Sequence, residues 1–96
     1  MKKAYISGKI TGLSETEYTE LFKKGCKKAI DLGYEAVNPC ELNHNHDLSW
    51  ANYMKVDLIA MFGCEVVIAL HNWKDSKGAT IEVNLAIELG IEIIYL

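Results

Sequence analysis

The run "EVVIAL" at residues 65–70 constrains the fold of this chain more than any other stretch. Its apolar residues are continuous rather than alternating, and the run has the length of a strand rather than of a helix. A strand of this kind is covered on both faces, as strands in parallel sheets are, because their helical crossovers pack on each side. The run therefore predicts an α/β fold with helices on both faces of a parallel sheet.

Signals elsewhere in the chain predict alternating strands and helices. Three further segments have strand character, namely 3–7, 34–37 and 91–96. Ser14 and Glu17 form a capping box that opens a first helix, and Gly33 ends it. Ser49 can cap a second helix, and Gly90 stops a third. Right-handed crossovers then favour four parallel strands in the order 2-1-3-4, a three-layer architecture of the flavodoxin or Rossmann type.

Length and composition exclude several classes of protein. The 96 residues predict one domain over 1–96, and the 50% hydrophobic and 24% charged residues are ordinary for a globular protein. The apolar runs are too short to cross a membrane, and "MKKAYIS" has no signal-peptide layout, so we expect a cytoplasmic protein. The net charge of −3 argues against a nucleic-acid polymer as partner. The 3 widely spaced cysteines do not form the pattern of a disulfide framework.

The predicted topology places a ligand site between strands 1 and 3, at their carboxyl ends, where the winding of the sheet reverses. That point brings "GKITGL" (8–13) beside "HNWKDSKG" (71–78). The first segment matches no standard phosphate loop, and one interpretation is a turn alone. The other is an anion site, because backbone amides and a helix N-terminus meet there. The side chains and backbone groups that would donate are those of Lys9, Thr11, Ser76, Lys77 and Gly78.

Glu82 is an acid where an apolar residue is expected. It shares a helical stripe with Leu85, Ala86 and Leu89, which predicts that it faces the core. It also falls in or near the first turn of the third helix, where the helix dipole stabilises a carboxylate. Glu82 is therefore a candidate reacting group, and the alternative is a charge that merely complements the dipole.

Asp57 is a second acid at the margin of an apolar face. It follows Trp50, Tyr53 and Met54 along the second helix at helical spacing. A structural partner such as a tyrosine hydroxyl or a backbone amide is one explanation. Because Asp57 and Glu82 come from different helices and lean toward one cleft, they are also candidates for acid/base chemistry.

The segment "CELNHNH" (40–46) contains three possible metal ligands, Cys40, His44 and His46. Their spacing fits no standard closed zinc site, and no second pair of ligands follows. We therefore expect a polar surface loop without a metal.

Several stretches together resemble the nucleoside 2-deoxyribosyltransferase superfamily, which includes the 2′-deoxynucleoside 5′-phosphate N-hydrolases. The chain is most similar to a small bacterial and phage branch of it. The stretches that carry the resemblance are "AYISGKITG", "VNP" at 37–39, "WANYMKVD" at 50–57 and "SKGATIEVNLAIELG" at 76–90. The serine-x-glycine-x-x-x-glutamate spacing is the most specific of these. In two places the chain departs from the pattern, with Glu65 where relatives carry aspartate and Thr11 where they carry arginine.

The resemblance implies a role for each matching residue. Glu82 corresponds to the nucleophile, Asp57 to the residue that helps to protonate the leaving base, and Tyr5 to the residue that orients the nucleophile. The implied substrate and phosphate contacts are Ser7, Gly8, Lys9, Ile10, Thr11, Gly12, Ser76 and Gly78.

The implied activity is cleavage or transfer of the N-glycosidic bond of 2′-deoxynucleosides or their 5′-monophosphates, through a covalent glycosyl-glutamate. It requires a small-molecule substrate and no metal or organic cofactor, and the family leads us to expect a homo-oligomer, a dimer or larger. One alternative is a nucleotide-binding or sensing module without turnover. Another is an accessory protein that binds a partner and no small ligand.

Overall fold

The computed structural model describes residues 1–96, and its strands and helices alternate in the predicted order. Two short 3-10 helices, Pro39–Glu41 and Trp73–Asp75, lie in the loops. The main elements are β1 (Lys3–Ser7), α1 (Glu15–Asp31), β2 (Glu35–Val37), α2 (Trp50–Phe62), β3 (Val66–Ala69), α3 (Lys77–Glu88) and β4 (Glu92–Tyr95). None of the helices combines the length and apolar composition needed to span a membrane.

The four strands form one parallel sheet in the order β2-β1-β3-β4, which confirms the predicted topology. Every residue of β3 is buried, as its continuous apolar sequence predicts. In β1, Tyr5 pairs with Val67 and Ser7 with Ala69. The two central strands are therefore β1 and β3, and the predicted crevice lies at their carboxyl ends.

Alternation along β1 decides which side chains reach the site. Ala4 and Ile6 belong to the apolar layer that packs on Phe22 and Ala29 of α1. Tyr5 belongs to the opposite layer, with residues of α2 and α3 such as Val83. Because side chains of a strand alternate between faces, Ser7 lies on the same side as Tyr5. Both hydroxyl-bearing residues of β1 thus face α3.

Two glycines end helices by the same hydrogen-bond pattern. Gly33 and Gly90 have φ angles of 90° and 75°, a left-handed conformation that glycine adopts without steric cost. After Gly33, the amide of Tyr34 donates to the carbonyl of Ala29, which is the longer bond of a Schellman motif. Tyr34 is thereby part of the helix cap, and β2 begins at Glu35 rather than at the predicted residue 34.

Some residues predicted on buried helix faces are exposed. Leu89 is 57% exposed, because it is the C-cap of α3 and lies beyond its last complete turn. Trp50 is 45% exposed at the first turn of α2. Tyr53 is also partly exposed, whereas Met54 of the same helix is buried as predicted, and Met61 is buried as well.

Candidate active site

A cavity of about 770 Å³ opens where the topology predicts a ligand site. Its volume lies within the range of roughly 300–1,000 Å³ that is usual for small-molecule sites. β1, the loop after it, α2 and the N-terminal part of α3 all contribute to its walls. The predicted site residues that line it are Tyr5, Gly8, Lys9, Ile10, Thr11, Asp57, Ser76, Gly78 and Glu82. Ser7 and Gly12 are not among the lining residues.

Glu82 is the buried carboxylate of this cavity. It is only 5% exposed, yet both of its oxygens have partners. The Tyr5 hydroxyl donates to Oε2 at 2.7 Å, and the Ser7 hydroxyl donates to Oε1 at 2.8 Å. Two donated hydrogen bonds favour the ionised form of a carboxylate and restrict its rotation. The hydroxyl of Ser7, predicted as a substrate contact, is thus engaged with Glu82.

Burial and hydrogen bonding act on Glu82 in opposite directions. Loss of solvation raises the pKa of Glu82 to about 7, the two hydroxyl donors partly offset that rise, and the charge of Asp57 adds to it. Burial, followed by the neighbouring Glu82 charge, raises the pKa of Tyr5 well above its ordinary value, so Tyr5 remains a donor. Glu82 lies in the second turn of α3, which begins at Lys77, rather than in the first turn. The hydroxyls of β1, not the helix terminus, are therefore its direct partners.

Asp57 is paired with a histidine that the sequence interpretation assigned to a polar surface loop. Oδ1 of Asp57 and Nε2 of His44 are 2.9 Å apart, and the two side chains are 14% and 13% exposed. The ring of His44 stacks on Tyr53 with 4.1 Å between centroids. Burial raises the pKa of Asp57, and the hydrogen bond and charge of His44 oppose the rise. The partner of Asp57 is thus an imidazole, and not one of the two examples of a structural partner, a tyrosine hydroxyl or a backbone amide.

The loop after β1 is tied to the loop before α3. The backbone amide of Lys9 donates to Oδ1 of Asn72 at 3.1 Å, so this amide is not available to an anion. The amides of Ile10 and Thr11 donate no hydrogen bond within the chain. Gly8 is in close contact with Leu70, since a Cβ at Gly8 would lie 2.5 Å from Leu70 Cδ1. Close packing thus holds the loop at the cavity wall.

The N-terminus of α3 forms another part of the wall. The Ser76 hydroxyl accepts a hydrogen bond from the amide of Ala79 at 3.1 Å, and its own proton remains free to donate. The amides of Lys77 and Gly78 donate to no acceptor in the chain, as is usual for the first residues of a helix. Such amides, with the positive end of the helix dipole, suit an anionic group.

The possible metal ligands do not come together. The structure has no group of three or more histidine, cysteine, aspartate or glutamate side chains that could hold a metal ion. Cys40 and His46 are exposed, and His44 contacts Asp57. Cys26, Cys40 and Cys64 are free thiols.

These elements place two carboxylates of different environment in one cavity. Glu82 accepts from two hydroxyls, and Asp57 is bound to an imidazole. The charge of Asp57 is near enough to raise the pKa of Glu82. A pair of acids in unlike surroundings can divide the roles of nucleophile and proton donor.

Comparison with known proteins identifies the family to which the chain belongs. A search of curated proteins found no match to the chain. The family model for the domain of unknown function DUF4406 matches residues 2–95, which is nearly the whole chain. The protein is therefore a member of the DUF4406 family.

Proposed function

We propose that this protein breaks the N-glycosidic bond of 2′-deoxynucleosides or their 5′-monophosphates and forms a covalent intermediate on Glu82. One observation carries the proposal: the buried Glu82 carboxylate accepts hydrogen bonds from Tyr5 and Ser7 in a cavity that it shares with Asp57. The resemblance of the serine-x-glycine-x-x-x-glutamate stretch to deoxyribosyltransferases and N-hydrolases supports it further.

In the first step an ionised Glu82 oxygen forms a bond to C1′ of the sugar. The C1′–N bond breaks, its electron pair stays on the base, and a protonated Asp57 supplies a proton to that base. The two acids must then hold opposite protonation states. Burial raises the pKa of Glu82 to about 7 and the two hydroxyl donors limit that rise, so the anion of Glu82 predominates above pH 7. Burial also raises the pKa of Asp57, against the opposing effect of His44, and this rise favours its neutral acid.

In the second step water attacks C1′ and releases Glu82, while Asp57 takes the proton from the water. A second base that attacks in place of water gives transfer instead of hydrolysis. Both outcomes use the same residues, so the cavity supports either.

A 5′-phosphate would bind at the N-terminus of α3. Ser76 and the amides of Lys77 and Gly78 offer hydrogen bonds there, and Thr11 lines the same cavity. Glu82 follows Ser76 by six positions, or about 9 Å along a helix axis. That separation suits one sugar phosphate with a contact at each end.

The test is incubation with deoxynucleosides, their 5′-monophosphates and the matching ribonucleosides and ribonucleotides, with free base measured by chromatography. Deoxy substrates should react faster, because the 2′-hydroxyl withdraws electron density from an oxocarbenium-like transition state. Equal rates on ribo substrates would contradict the assignment. Binding of nucleotides, seen as thermal stabilisation without release of base, would instead identify a binding module.

The role of Glu82 has its own control. Glu82→Gln should lower turnover by several orders of magnitude because it removes the attacking charge. Glu88→Gln is the matched variant, since Glu88 lies on the same helix but is exposed. A 2-fluorinated deoxyribosyl analogue should leave a sugar adduct on wild-type protein, detected by intact mass and mapped to the peptide that contains Glu82. An adduct on another peptide would refute Glu82 as nucleophile.

A further inference from the structure

His44, Asp57 and Tyr53 form a unit at the edge of the cavity. Tyr53 and Asp57 line the cavity, whereas His44 contacts both of them and is not a lining residue. Stacking on Tyr53 holds the plane of the imidazole, and the 2.9 Å contact joins its Nε2 to Oδ1 of Asp57. Oδ1 of Asp57 accepts a hydrogen bond both when Asp57 is ionised and when its proton is on Oδ2, so we assign the proton of this contact to Nε2 of His44.

The second oxygen of Asp57 remains free. Oδ2 makes no hydrogen bond, whereas every fully buried polar atom of the side chains has a partner. Oδ2 is therefore accessible, and Asp57 is part of the cavity wall. One oxygen of Asp57 is fixed by His44, and the other can reach a ligand.

The loop that carries His44 reverses direction immediately after it. Asn45 and His46 have φ angles of 58° and 61°, in the left-handed region that residues other than glycine rarely adopt. The side-chain amide of Asn52 on α2 donates to the carbonyl of His44 at 2.6 Å and to that of Asp47 at 3.1 Å. This anchoring places the backbone of His44 beside α2.

We propose that His44 is the positioning residue for the proposed general acid: it holds Asp57 through Nε2–H and leaves Oδ2 to serve the departing base. When the C1′–N bond breaks, the proton on Oδ2 moves to the base nitrogen, and Asp57 becomes a carboxylate. The Nε2–H bond then stabilises the charge formed at a half-buried position. The catalytic part of this inference rests on the proposed function.

The contact itself can be tested without any activity. Proton spectra of the histidine side chains detect a ring N–H only where a hydrogen bond slows its exchange with water. The Nε2–H of His44 should be visible in the wild type and should disappear in Asp57→Ala. His46 is exposed two positions away and serves as the internal control. A His44 spectrum that equals the His46 spectrum in wild-type protein would overturn the inference.

Kinetics test what the contact does. His44→Phe keeps a ring to stack on Tyr53 but removes the donor, whereas His44→Gln keeps an N–H donor. The Phe variant should lower kcat for deoxynucleosides about 10–100-fold with little change in KM, and the Gln variant should recover most of the loss. The loss of kcat in His44→Phe should be smaller on 4-nitrophenyl 2-deoxyriboside, because its leaving group, 4-nitrophenolate, needs no proton.

Activity measurements on the wild type and on His44→Phe distinguish failure of the proposed function from failure of the proposed role of His44. If wild-type protein releases no base, the proposed function fails, and the positioning role fails with it. If the wild type is active and His44→Phe matches it, only the role of His44 fails. An equal loss on both leaving groups would also overturn that role, because it indicates a purely structural effect. His46→Phe is the matched control and should behave as the wild type.

Discussion

The hydroxyl oxygen of Tyr5 lies 2.7 Å from Oε2 of Glu82, although 77 positions separate the two residues in the chain. This bond joins the first strand to the last helix inside the cavity. The Ser7 hydroxyl forms the equivalent bond to Oε1. Glu82 is consequently the point where the sheet, α3 and the cavity meet, and four predictions follow from its surroundings and those of Ser76.

The proposed activity should depend on pH through Glu82. The pKa of about 7 means that Glu82, the proposed nucleophile, is mostly protonated at pH 6 and mostly ionised at pH 8. The value of kcat/KM should therefore rise with pH through a midpoint near pH 7 as Glu82 ionises, and it should fall again at higher pH where Asp57 loses its proton. The measurement is release of free base between pH 5.5 and pH 8.5. A flat profile over that range would contradict the assignment of Glu82 as an ionised nucleophile.

Tyr5→Phe should move that profile to higher pH. The Tyr5 hydroxyl lowers the pKa of Glu82, so its removal raises that pKa further. A hydrogen bond to a charged group contributes about 1.5–3 kcal/mol, which corresponds to a shift of roughly 1–2 pH units. Tyr34→Phe is the control, because Tyr34 is a half-buried tyrosine outside the cavity. An unchanged midpoint in Tyr5→Phe would refute the orienting role of the hydroxyl.

The free energy of unfolding should also depend on pH through Glu82, but it should fall as the pH rises. The pKa is about 7 in the folded protein against an ordinary 4.5, so the folded state binds the additional proton between these values. This stabilisation is complete below pH 4.5 and is lost as the pH rises through 7. Glu82→Gln lacks this proton-linked stabilisation. Its free energy of unfolding relative to the wild type should therefore increase by about 2–3 kcal/mol from pH 5 to pH 8. Denaturant unfolding at both pH values measures this, and Glu88→Gln should show no such gain.

Ser76 should contribute to both helix capping and phosphate binding. Ser76→Ala removes the cap of α3, at about 0.5–2 kcal/mol of stability, and also the proposed phosphate contact. Ser49→Ala removes the corresponding cap of α2, outside the cavity, and should leave substrate preference unchanged. Ser76→Asp keeps a cap but repels a phosphate, so it should retain stability and lose the preference for 5′-monophosphates. That preference is the ratio of kcat/KM with and without the phosphate.

A wild-type preference for unphosphorylated nucleosides would remove the phosphate site from the proposal. The transferase interpretation would then stand, because the roles of Glu82 and Asp57 do not depend on a phosphate. An unchanged preference in Ser76→Asp would place the phosphate away from α3.

The fold was predictable because its signals are local. The continuous apolar run that contains Val66–Ala69 marks a strand covered on both faces, and the structure buries all of its residues. Ser14 forms the predicted capping box with Glu17, and Gly90 ends α3. Strand order then follows from handedness and short connections, which hold across proteins of this class.

The site was predictable only in part. Helical spacing places Glu82 inward correctly, because packing against the sheet repeats along α3. It does not identify His44 as the partner of Asp57, since His44 lies in an irregular loop whose path no periodic pattern predicts. The bond from the Lys9 amide to Asn72 was missed for the same reason: it joins two irregular loops that no periodic pattern relates.

The separation between Tyr5 and Glu82 also has a consequence during synthesis. A ribosome releases the chain from its N-terminus onward, so β1 emerges well before the strand β3 that pairs with it and the helix that carries Glu82. Contacts between such distant segments form late, because a long loop must close first. A nascent chain that has not yet released α3 holds Tyr5 and Ser7 without their common partner. A small molecule that binds at Glu82 can therefore recognise only a chain whose sheet is already assembled, and it cannot act as a template for the early stages of folding.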